Sequence, residues 1–417
     1  MVFPPRLRAL NSRNYRLFFA GQWISLVGNW MTTTATVWLA YEITRSPFVA
    51  GLLAFANQIP LLLLAPVGGL IGDRADKRQM LIKIQAICAL LSAGLAAAVF
   101  CGQASVSALI AFATMRGLIN ATEYPTRQSY IINLVGSKDD LPNAIALNSA
   151  MFNVARLIGP SVAGAMIIFS GPAWCFILDS LSFLGAMASL MMIRTAEPAP
   201  RTKSKHPIEE LRDGLRYARN HPMLRASLLL VSIVSFSGFA ATVLAPVFAK
   251  DVFHGDAMML GIILSAMGVG ALASALSLGS RISPAGLSHW IERGAILVVV
   301  AQIGFALSTS VVISILFLIM NGAGVVLVLA GSNTLIQSLV EDSMRGRVMG
   351  LFVMGQGFYP LGSLMIGTLA TAFGARWSVG ICATITLIAA LMFYRMVRQQ
   401  KMQPATNSCY IDASPSD

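Results

Sequence analysis

Gly69-Leu-Ile-Gly-Asp-Arg-Ala-Asp-Lys-Arg78 is the stretch of sequence that decides the fold. The residues ahead of it, from Gly51 to Ile71, are apolar, and a second apolar segment follows Lys83 and continues through Val99. Each segment is long enough to cross a bilayer as a helix, which takes about 20 residues. The stretch therefore predicts a short loop of acidic and basic residues between two membrane-spanning helices.

The composition of the whole chain agrees with this reading. Hydrophobic residues make up 56% of the 417 positions and charged residues only 12%. A soluble domain of this size cannot bury that much apolar surface, whereas a bilayer solvates it. Once loops are subtracted, about twelve spanning helices fit. We place them at 16–43, 48–72, 79–101, 105–134, 141–170, 173–194, 224–249, 257–281, 292–309, 311–339, 345–372 and 377–397.

The net charge of +12 invites a nucleic-acid interpretation, but the placement of the cations rejects it. With twelve spans and both termini inside, 24 of the 30 Lys and Arg residues fall in cytoplasmic segments. Three, Arg45, Lys250 and Arg376, fall outside. This asymmetry is the positive-inside rule, which predicts the orientation without a nucleic-acid partner.

One long polar segment divides the predicted spans into two sets of six. A short amphipathic helix on the cytoplasmic surface is predicted from Pro207 onward. A shift of 203 residues places Gly159 on Gly362 and Gly171 on Gly374, which favours a duplicated six-helix unit with a site between the halves. The expected parts are a cytoplasmic N-terminal tail at 1–15, a six-helix bundle at 16–194, a cytoplasmic central loop at 195–223, a second six-helix bundle at 224–398 and a cytoplasmic C-terminal tail at 399–417.

Several strings resemble those of a transporter superfamily. The opening stretch resembles motif A of the major facilitator superfamily, Gly-x-x-x-Asp-Arg-x-Gly-Arg-Lys, with Asp76 where Gly is usual. Further strings resemble the drug/proton antiporter-3 branch, which includes enterobactin and macrolide exporters. They are Asn14-Tyr15-Arg16-Leu17-Phe18, Tyr41-Glu42-Ile43-Thr44, Asp140-Leu141-Pro142-Asn143-Ala144, Ala155-Arg156 with Gly159-Pro160, and Arg345-Gly346-Arg347-Val348-Met349. The resemblance implies an all-α polytopic membrane protein with 12 transmembrane helices in two pseudo-symmetric six-helix bundles, the major facilitator fold.

Two further motifs of the superfamily are incomplete. Motif C, which is associated with antiport, is present only at Gly159 to Gly164, and Ala155 stands where the motif has Gly. Motif B usually has a Gly four positions after its Arg, whereas here Gly117 follows Arg116 directly. A proton-linked uptake permease for a nutrient or a lipid-related metabolite therefore stays open beside an exporter.

Five ionisable residues lie deep within the predicted spans, all in the first half. They are Arg116, Glu123, Arg127, Arg156 and Asp179. A charge at the centre of a membrane helix costs about 2.5–3.5 kcal/mol, so each is expected to face a cavity or a partner.

Four polar residues of span 4 recur at helical spacing: Arg116, Asn120, Glu123 and Arg127. They share one face, and Glu123 is close enough to Arg127 to pair. The face is either a polar stripe lining the transport path, with Glu123 carrying the proton, or a structural ion pair. Asp179 is either a second protonatable site or the partner of Arg156.

The resemblance also assigns roles to motif A, which comprises Gly69, Asp73, Arg74, Lys77 and Arg78. Asp73 is implied to meet the positive N-terminal end of span 11, near residues 343–350. The three cations are implied to anchor the loop against acidic partners or lipid phosphate. Such a latch stabilises the outward-open state.

Two further sets complete the candidates. The substrate cavity is predicted to use aromatic and amide side chains, namely Trp30, Phe239, Gln302, Asn321, Asn333, Gln356 and Tyr359. Bending and close approach of helices are predicted at Gly159, Pro160, Gly164, Pro360 and Gly362.

The sequence as a whole predicts a proton-coupled exporter of an amphipathic small molecule, such as a siderophore or a hydrophobic drug, acting by alternating access. We expect a monomer in a bacterial inner membrane, with both termini cytoplasmic, that needs a proton gradient and the bilayer but no cofactor or metal. A polytopic membrane enzyme is a remote alternative, since it needs a convergent catalytic set that the sequence does not contain.

Overall fold

A computed structural model describes residues 4–74, 76–135, 137–194, 207–281 and 286–402. Within these ranges the chain is helical and has no β-strand. Residues 195–206 of the predicted central loop and residues 403–417 of the predicted C-terminal tail lie outside the described residues. The predicted bounds of the two bundles, the central loop and the tails stay predictions.

The first half contains a short 3₁₀ helix, Pro5–Asn11, and six long helices. They are α1 (Arg13–Thr44), α2 (Pro47–Arg74), α3 (Lys77–Phe100), α4 (Val106–Leu134), α5 (Leu141–Ser170) and α6 (Pro172–Met192). A surface helix, α7 (Pro207–Asn220), follows in the central segment. Its Asp213 lies 3.2 Å from the guanidinium of Arg347 at the start of span 11.

The second half contains six further spans, two of them broken. Span 7 comprises α8 (Pro222–Ser237), α9 (Ala240–Val243), α10 (Ala245–Val247) and a π-helix (Phe248–Val252). The remaining helices are α11 (Ala257–Arg281), α12 (Leu287–Leu307), α13 (Val311–Leu339), α14 (Asp342–Gln356) with α15 (Tyr359–Phe373) in span 11, and α16 (Ala375–Met402).

The predicted all-α membrane fold is confirmed. Ten segments of the described chain are long and apolar enough to cross a membrane. Helices α1 and α4 have 32 and 29 residues but are more polar. The arrangement is consistent with twelve spans, and the polarity of α1 and α4 already marks them as helices that face something other than lipid.

The two halves meet through a small number of helix pairs. Helices α1 to α6 pack mainly among themselves, and α8 to α16 do the same. Across the boundary, α5 packs along α11 and α2 packs along α15. The space left between these two seams is the site described below.

The predicted bending positions behave differently in the two halves. Span 11 breaks after Gln356, and α15 restarts with Pro360 in its first turn, where a missing backbone N–H costs nothing. Helix α5, in contrast, continues unbroken through Pro160.

Three predicted glycines lie where helices come closest. A Cβ at Gly159 would clash with the Cβ of Trp30, and one at Gly362 would clash with the carbonyl oxygen of Phe236. Gly164 packs in the same way against α11. These positions permit close helix contact, as in other membrane bundles.

The turns after α5 and after α15 share a backbone conformation. Gly171 has a φ of 91° and Gly374 a φ of 88°, values that favour glycine. The shift of 203 residues that aligns the halves places one of these glycines on the other, so the repeat is visible in the backbone as well as in the sequence.

The departure from motif A at Asp76 has a local explanation. Asp76 has a φ of −61°, and its carboxylate accepts hydrogen bonds from the backbone N–H groups of Arg78 and Gln79 at 2.9 and 3.2 Å. It is the N-cap of α3, a position that favours Asp and does not require glycine.

Candidate functional site

A large cavity lies between the two halves of the protein. Its volume is about 550 Å³. Helices α1, α2, α4 and α5, with Phe183 of α6, supply the wall from the first half, and segments of span 7, α11, α13 and span 11 supply the other wall. A cavity of this size is suited to a small organic molecule.

The polar stripe predicted on α4 lies on the cavity wall. Arg116, Asn120, Glu123 and Arg127 all line it. The ion pair that their spacing predicts is present, since Arg127 Nη1 lies 3.5 Å from Glu123 Oε1. Arg127 also donates to Gln22 Oε1 at 3.3 Å, so α1 holds the pair from the side.

Arg116 is the most deeply buried of the cavity arginines, and its Nη1 has no hydrogen-bond partner within the described chain. It is buried, its Nη2 donates to Asn29 Oδ1 at 2.9 Å, and its guanidinium lies 4.8 Å from the centre of the Phe183 ring. It also interacts electrostatically with Asp179 and Glu123. Arg116 therefore connects the cavity wall to a carboxylate buried behind it.

Asp179 lies behind the wall and is fully buried. Its Oδ2 accepts a hydrogen bond from Ser92 Oγ on α3 at 2.8 Å, while its Oδ1 has no hydrogen-bond partner. The alternative prediction that Asp179 pairs with Arg156 is wrong, because Arg156 instead donates to Asn153 on its own helix at 3.2 Å. Asp179 faces the interior of the first bundle, where Arg116 is its cationic neighbour.

Four of the seven residues predicted to form the substrate cavity line it: Trp30, Phe239, Gln356 and Tyr359. Phe239 and Tyr359 face each other edge to face, with ring centres 5.2 Å apart. This aromatic pair is the contribution of spans 7 and 11 to the wall.

The other three amides do not belong to the described lining. Gln302 is buried and donates to the carbonyl oxygen of Ser237 at 2.8 Å, which joins α12 to α8. Asn333 accepts from Gln337 at 2.7 Å on its own helix. Asn321 is buried, and neither polar atom of its amide has a hydrogen-bond partner within the described chain. An amide in an apolar span thus marks a helix contact as readily as a cavity.

Motif A is described only in part. Gly69, Asp73 and Arg74 belong to the last turns of α2, but the side chains of Asp73 and Arg74 lie outside the described part of the structure. Arg78 donates to the carbonyl oxygens of Leu190 and Met191 at 2.8 and 2.6 Å. Its partner is the negative C-terminal end of α6 rather than the acidic side chain or phosphate that the resemblance implies. For Lys77 no partner is described.

A polar cluster joins α1 to the π-helix on the side of the protein that the distribution of Lys and Arg predicts to be external. We call it the outer cluster; it comprises Trp38, Tyr41, Glu42 and Arg45 of α1 with Lys250 and Asp251 of the π-helix. The Tyr41 hydroxyl donates to Asp251, and Arg45 Nη1 lies 3.4 Å from Asp251 Oδ1. Lys250 Nζ lies 4.0 Å from Glu42 Oε1. Sequence reasoning read Arg45 and Lys250 only as topology determinants and missed this contact between the halves.

Sequence reasoning also missed the polar residues that surround the arginines. Asn29 lines the cavity, and Gln85 of α3 donates to Glu123 at 3.4 Å. The available signal was the polar spacing on α1, where Gln22, Ser25, Asn29 and Thr32 recur every three or four residues. No group of three or more His, Cys, Asp or Glu side chains within the described ranges is placed to hold a metal ion.

The fold and the cavity between two six-helix bundles define a membrane carrier of the major facilitator type. A solved bacterial homologue of the human lysosomal transporter Spinster has the same fold, with a TM-score of 0.71 and 16% identity over 93% of this chain and 97% of that chain. The nucleoside transporter NupG matches with a TM-score of 0.66 and 14% identity over 93% of this chain and 99% of that chain.

The family model described as "Transmembrane secretion effector" matches residues 6–412. The chain belongs to this family of the major facilitator superfamily, and it is a multi-pass membrane transporter.

Its curated relatives carry several substrates. The staphyloferrin A transporter of Staphylococcus aureus is 25% identical over 93% of this chain and 97% of its own length. The enterobactin exporter EntS of Citrobacter koseri is 22% identical over 81% of this chain and 80% of its own length. The multidrug efflux pump Tap of Mycolicibacterium fortuitum is 26% identical over 83% of this chain and 87% of its own length.

Proposed function

We propose that the protein exports an amphipathic small molecule, of the siderophore or hydrophobic-drug kind, in exchange for protons. Relatives named as an enterobactin exporter and as a multidrug efflux pump support export rather than uptake. The observation that carries the coupling is the placement of two carboxylates, Glu123 on the cavity wall and Asp179 buried behind it, around the guanidinium of Arg116.

The coupling follows from charge balance in a water-poor space. A proton on Glu123 removes the negative partner of Arg127 and leaves the cavity more positive by one charge. A proton on Asp179 does the same for Arg116. Exchange requires that proton and substrate compete for the same carboxylates. A substrate that donates hydrogen bonds to ionised Glu123 loses that acceptor when Glu123 is protonated, so protonation releases the substrate and deprotonation permits its binding.

The geometry also supports a sequence of states. With the outer cluster closed, the cavity exchanges with the cytoplasmic side. Rocking of the bundles breaks the outer cluster and brings motif A toward the start of α14. Asp73 at the end of α2 then meets the N-terminal end of span 11 and holds the outward-open state, as the resemblance implies.

Inside-out membrane vesicles test this proposal. A pH gradient is imposed, and a panel of catecholate and carboxylate siderophores, macrolides and cationic dyes is added. Accumulation of a substrate with release of protons is expected for the wild type. Glu123→Gln and Asp179→Asn should each lower gradient-driven accumulation at least tenfold.

Two outcomes contradict the proposal in different ways. Normal gradient-driven accumulation by both Glu123→Gln and Asp179→Asn means that neither carboxylate carries the coupled proton. Accumulation only in right-side-out vesicles, with none in inside-out vesicles, moves the protein to the uptake class.

We further propose that the protein is a monomer of a bacterial inner membrane with both termini in the cytoplasm. The excess of Lys and Arg in the predicted inner segments supports this orientation. Reporter fusions at each terminus, one active only in the cytoplasm and one active only outside, test the orientation.

A further inference from the structure

Three arginines reach the wall of the cavity, and they differ in how their charge is balanced. Arg127 has Glu123 at 3.5 Å. Arg116 has no carboxylate within salt-bridge distance in the described part of the chain, but the charges of Asp179 and Glu123 act on it. For Arg156, on α5, the described residues provide neither a salt bridge nor a carboxylate whose charge acts on it. Its charge is the uncompensated one in the cavity.

The contacts of Arg156 leave it ready to accept a partner. Its Nη2 donates to the neutral amide of Asn153 at 3.2 Å, while its Nε is buried and has no hydrogen-bond partner. A cation in a membrane span is costly unless it faces water or pairs with an anion. Arg156 lines the cavity, so an anion that enters the cavity can reach it.

A second unpartnered donor belongs to the same wall. The indole Nε1 of Trp30 is buried without a hydrogen-bond partner. Trp30 packs edge to face on Phe152, with ring centres 5.8 Å apart, and Phe152 precedes Arg156 by one helical turn on α5. Both rings line the cavity. The wall thus places a cation beside an apolar aromatic surface, with the unpartnered N–H of Trp30 buried next to them.

We propose that Arg156 binds an anionic group of the substrate, a carboxylate or a group of the same charge, while Trp30 and Phe152 contact the apolar part. This inference rests on the proposed transport function and specifies the chemistry of the cargo. A guanidinium presents two parallel donors to a carboxylate, which provides orientation as well as attraction. Arg156 is thereby a specificity-determining residue, distinct from the pairs assigned to proton coupling.

The position of Arg156 also connects binding to movement. The next residue on α5, Leu157, accepts a hydrogen bond through its backbone carbonyl from Ser265 Oγ of α11 at 2.7 Å. This contact belongs to the seam between the two halves. An anion bound at Arg156 therefore lies directly beside the seam that alternating access has to rearrange.

The test compares amphipathic acids with their neutral methyl esters. The probes are tritiated naphthaleneacetate and pyrenebutyrate with the corresponding esters, whose binding to the full-length protein in lipid nanodiscs is followed by scintillation proximity. The wild type should bind the acids more tightly than the esters. Arg156→Gln should weaken binding of the acids about 10- to 100-fold, as expected for loss of a charge-assisted hydrogen bond, and leave binding of the esters unchanged.

Arg156→Lys is the matched control, because it keeps the positive charge and loses the planar fork. It should retain acid binding to within about tenfold of the wild type. Equal weakening of acids and esters by Arg156→Gln overturns the inference, and so does a wild-type protein that prefers the esters or binds none of the acids. Binding is measured without a pH gradient, so such a failure leaves the proton-coupled export proposal standing. Loss of coupling in the vesicle assay leaves the anion site standing.

Discussion

At the scale of single residues, the burial of Asp179 depends on the absence of a side chain opposite it. A Cβ at Gly28 of α1 would lie 2.6 Å from Ser182 Oγ, 2.9 Å from Asp179 Oδ1 and 3.1 Å from the Asp179 Cα. Gly28 therefore permits α1 and α6 to approach closely enough to enclose the carboxylate. The same approach brings α1, with Asn29, against Arg116.

We expect Gly28→Ala to destabilise the protein, because the added methyl meets backbone as well as side-chain atoms. Overpacking of this kind costs about 1–3 kcal/mol. Gly94→Ala on α3 is the matched control, since a Cβ there has no atom within 4 Å. Thermal unfolding in detergent should show a lower midpoint for Gly28→Ala than for the wild type and no decrease for Gly94→Ala. Equal midpoints for the two variants would show that α1 and α6 can separate without cost.

Some of the site was predictable because it follows from spacing along one helix. The Glu123–Arg127 pair is of this kind, since residues four apart on a helix share a face whatever surrounds them. The partner of Asp179 was not predictable, because it depends on the rotation of α6 against α3 and α4. A single sequence carries no signal for that rotation in uniformly apolar helices, and Arg156 was an equally reasonable partner.

At the scale of elements, α1 and span 7 form the outer end of the cavity. Span 7 is divided by short breaks and ends in a π-helix, which places Lys250 and Asp251 side by side against the last turn of α1. Arg45 has a φ of 51°, an uncommon conformation for a residue with a side chain, and from there it reaches Asp251. The breaks in spans 7 and 11 were the least predictable elements, because hydropathy alone reads each as one continuous helix.

Charge reversal tests whether the outer cluster holds the cavity closed. Arg45→Asp places two acidic groups together and should favour outward opening. Both ionic side chains are about half exposed, so the gain is modest, and two- to fivefold faster labelling is expected. The measurement is reaction of Val37→Cys, on the cavity wall, with a membrane-impermeant maleimide added from outside. Exposed Cys101 is replaced by Ser in all variants.

The double variant Arg45→Asp with Asp251→Arg restores opposite charges in reversed order. Its labelling rate should return toward that of the parent. Equal rates for the parent and for Arg45→Asp alone would show that the cluster does not limit opening and that helix packing closes this end.

At the scale of the whole molecule, two seams join the halves around the cavity. Along the α5–α11 seam, Ser161 Oγ and Ser265 Oγ lie 2.6 Å apart, and Gly261 packs against the backbone at Pro160. The all-α membrane fold and the matching turns after α5 and α15 were predictable from hydropathy and internal similarity. The seams were not, because residues that join the halves are small and apolar, like those that pack within each half.

A reversible cross-link across this seam tests whether the halves rock as rigid bodies. Cysteines at Ser161 and Ser265 should form a disulfide under mild oxidation, since the two side-chain oxygens are already in contact. Because the seam has to open for the cavity to face outward, oxidation of the double variant should abolish transport in vesicles, and reduction should restore it. Each single cysteine variant should transport equally well under oxidising and reducing conditions. Full transport by protein shown to be cross-linked would mean that access alternates without separation of α5 from α11, and the outer end would then have to open at the α2–α15 seam.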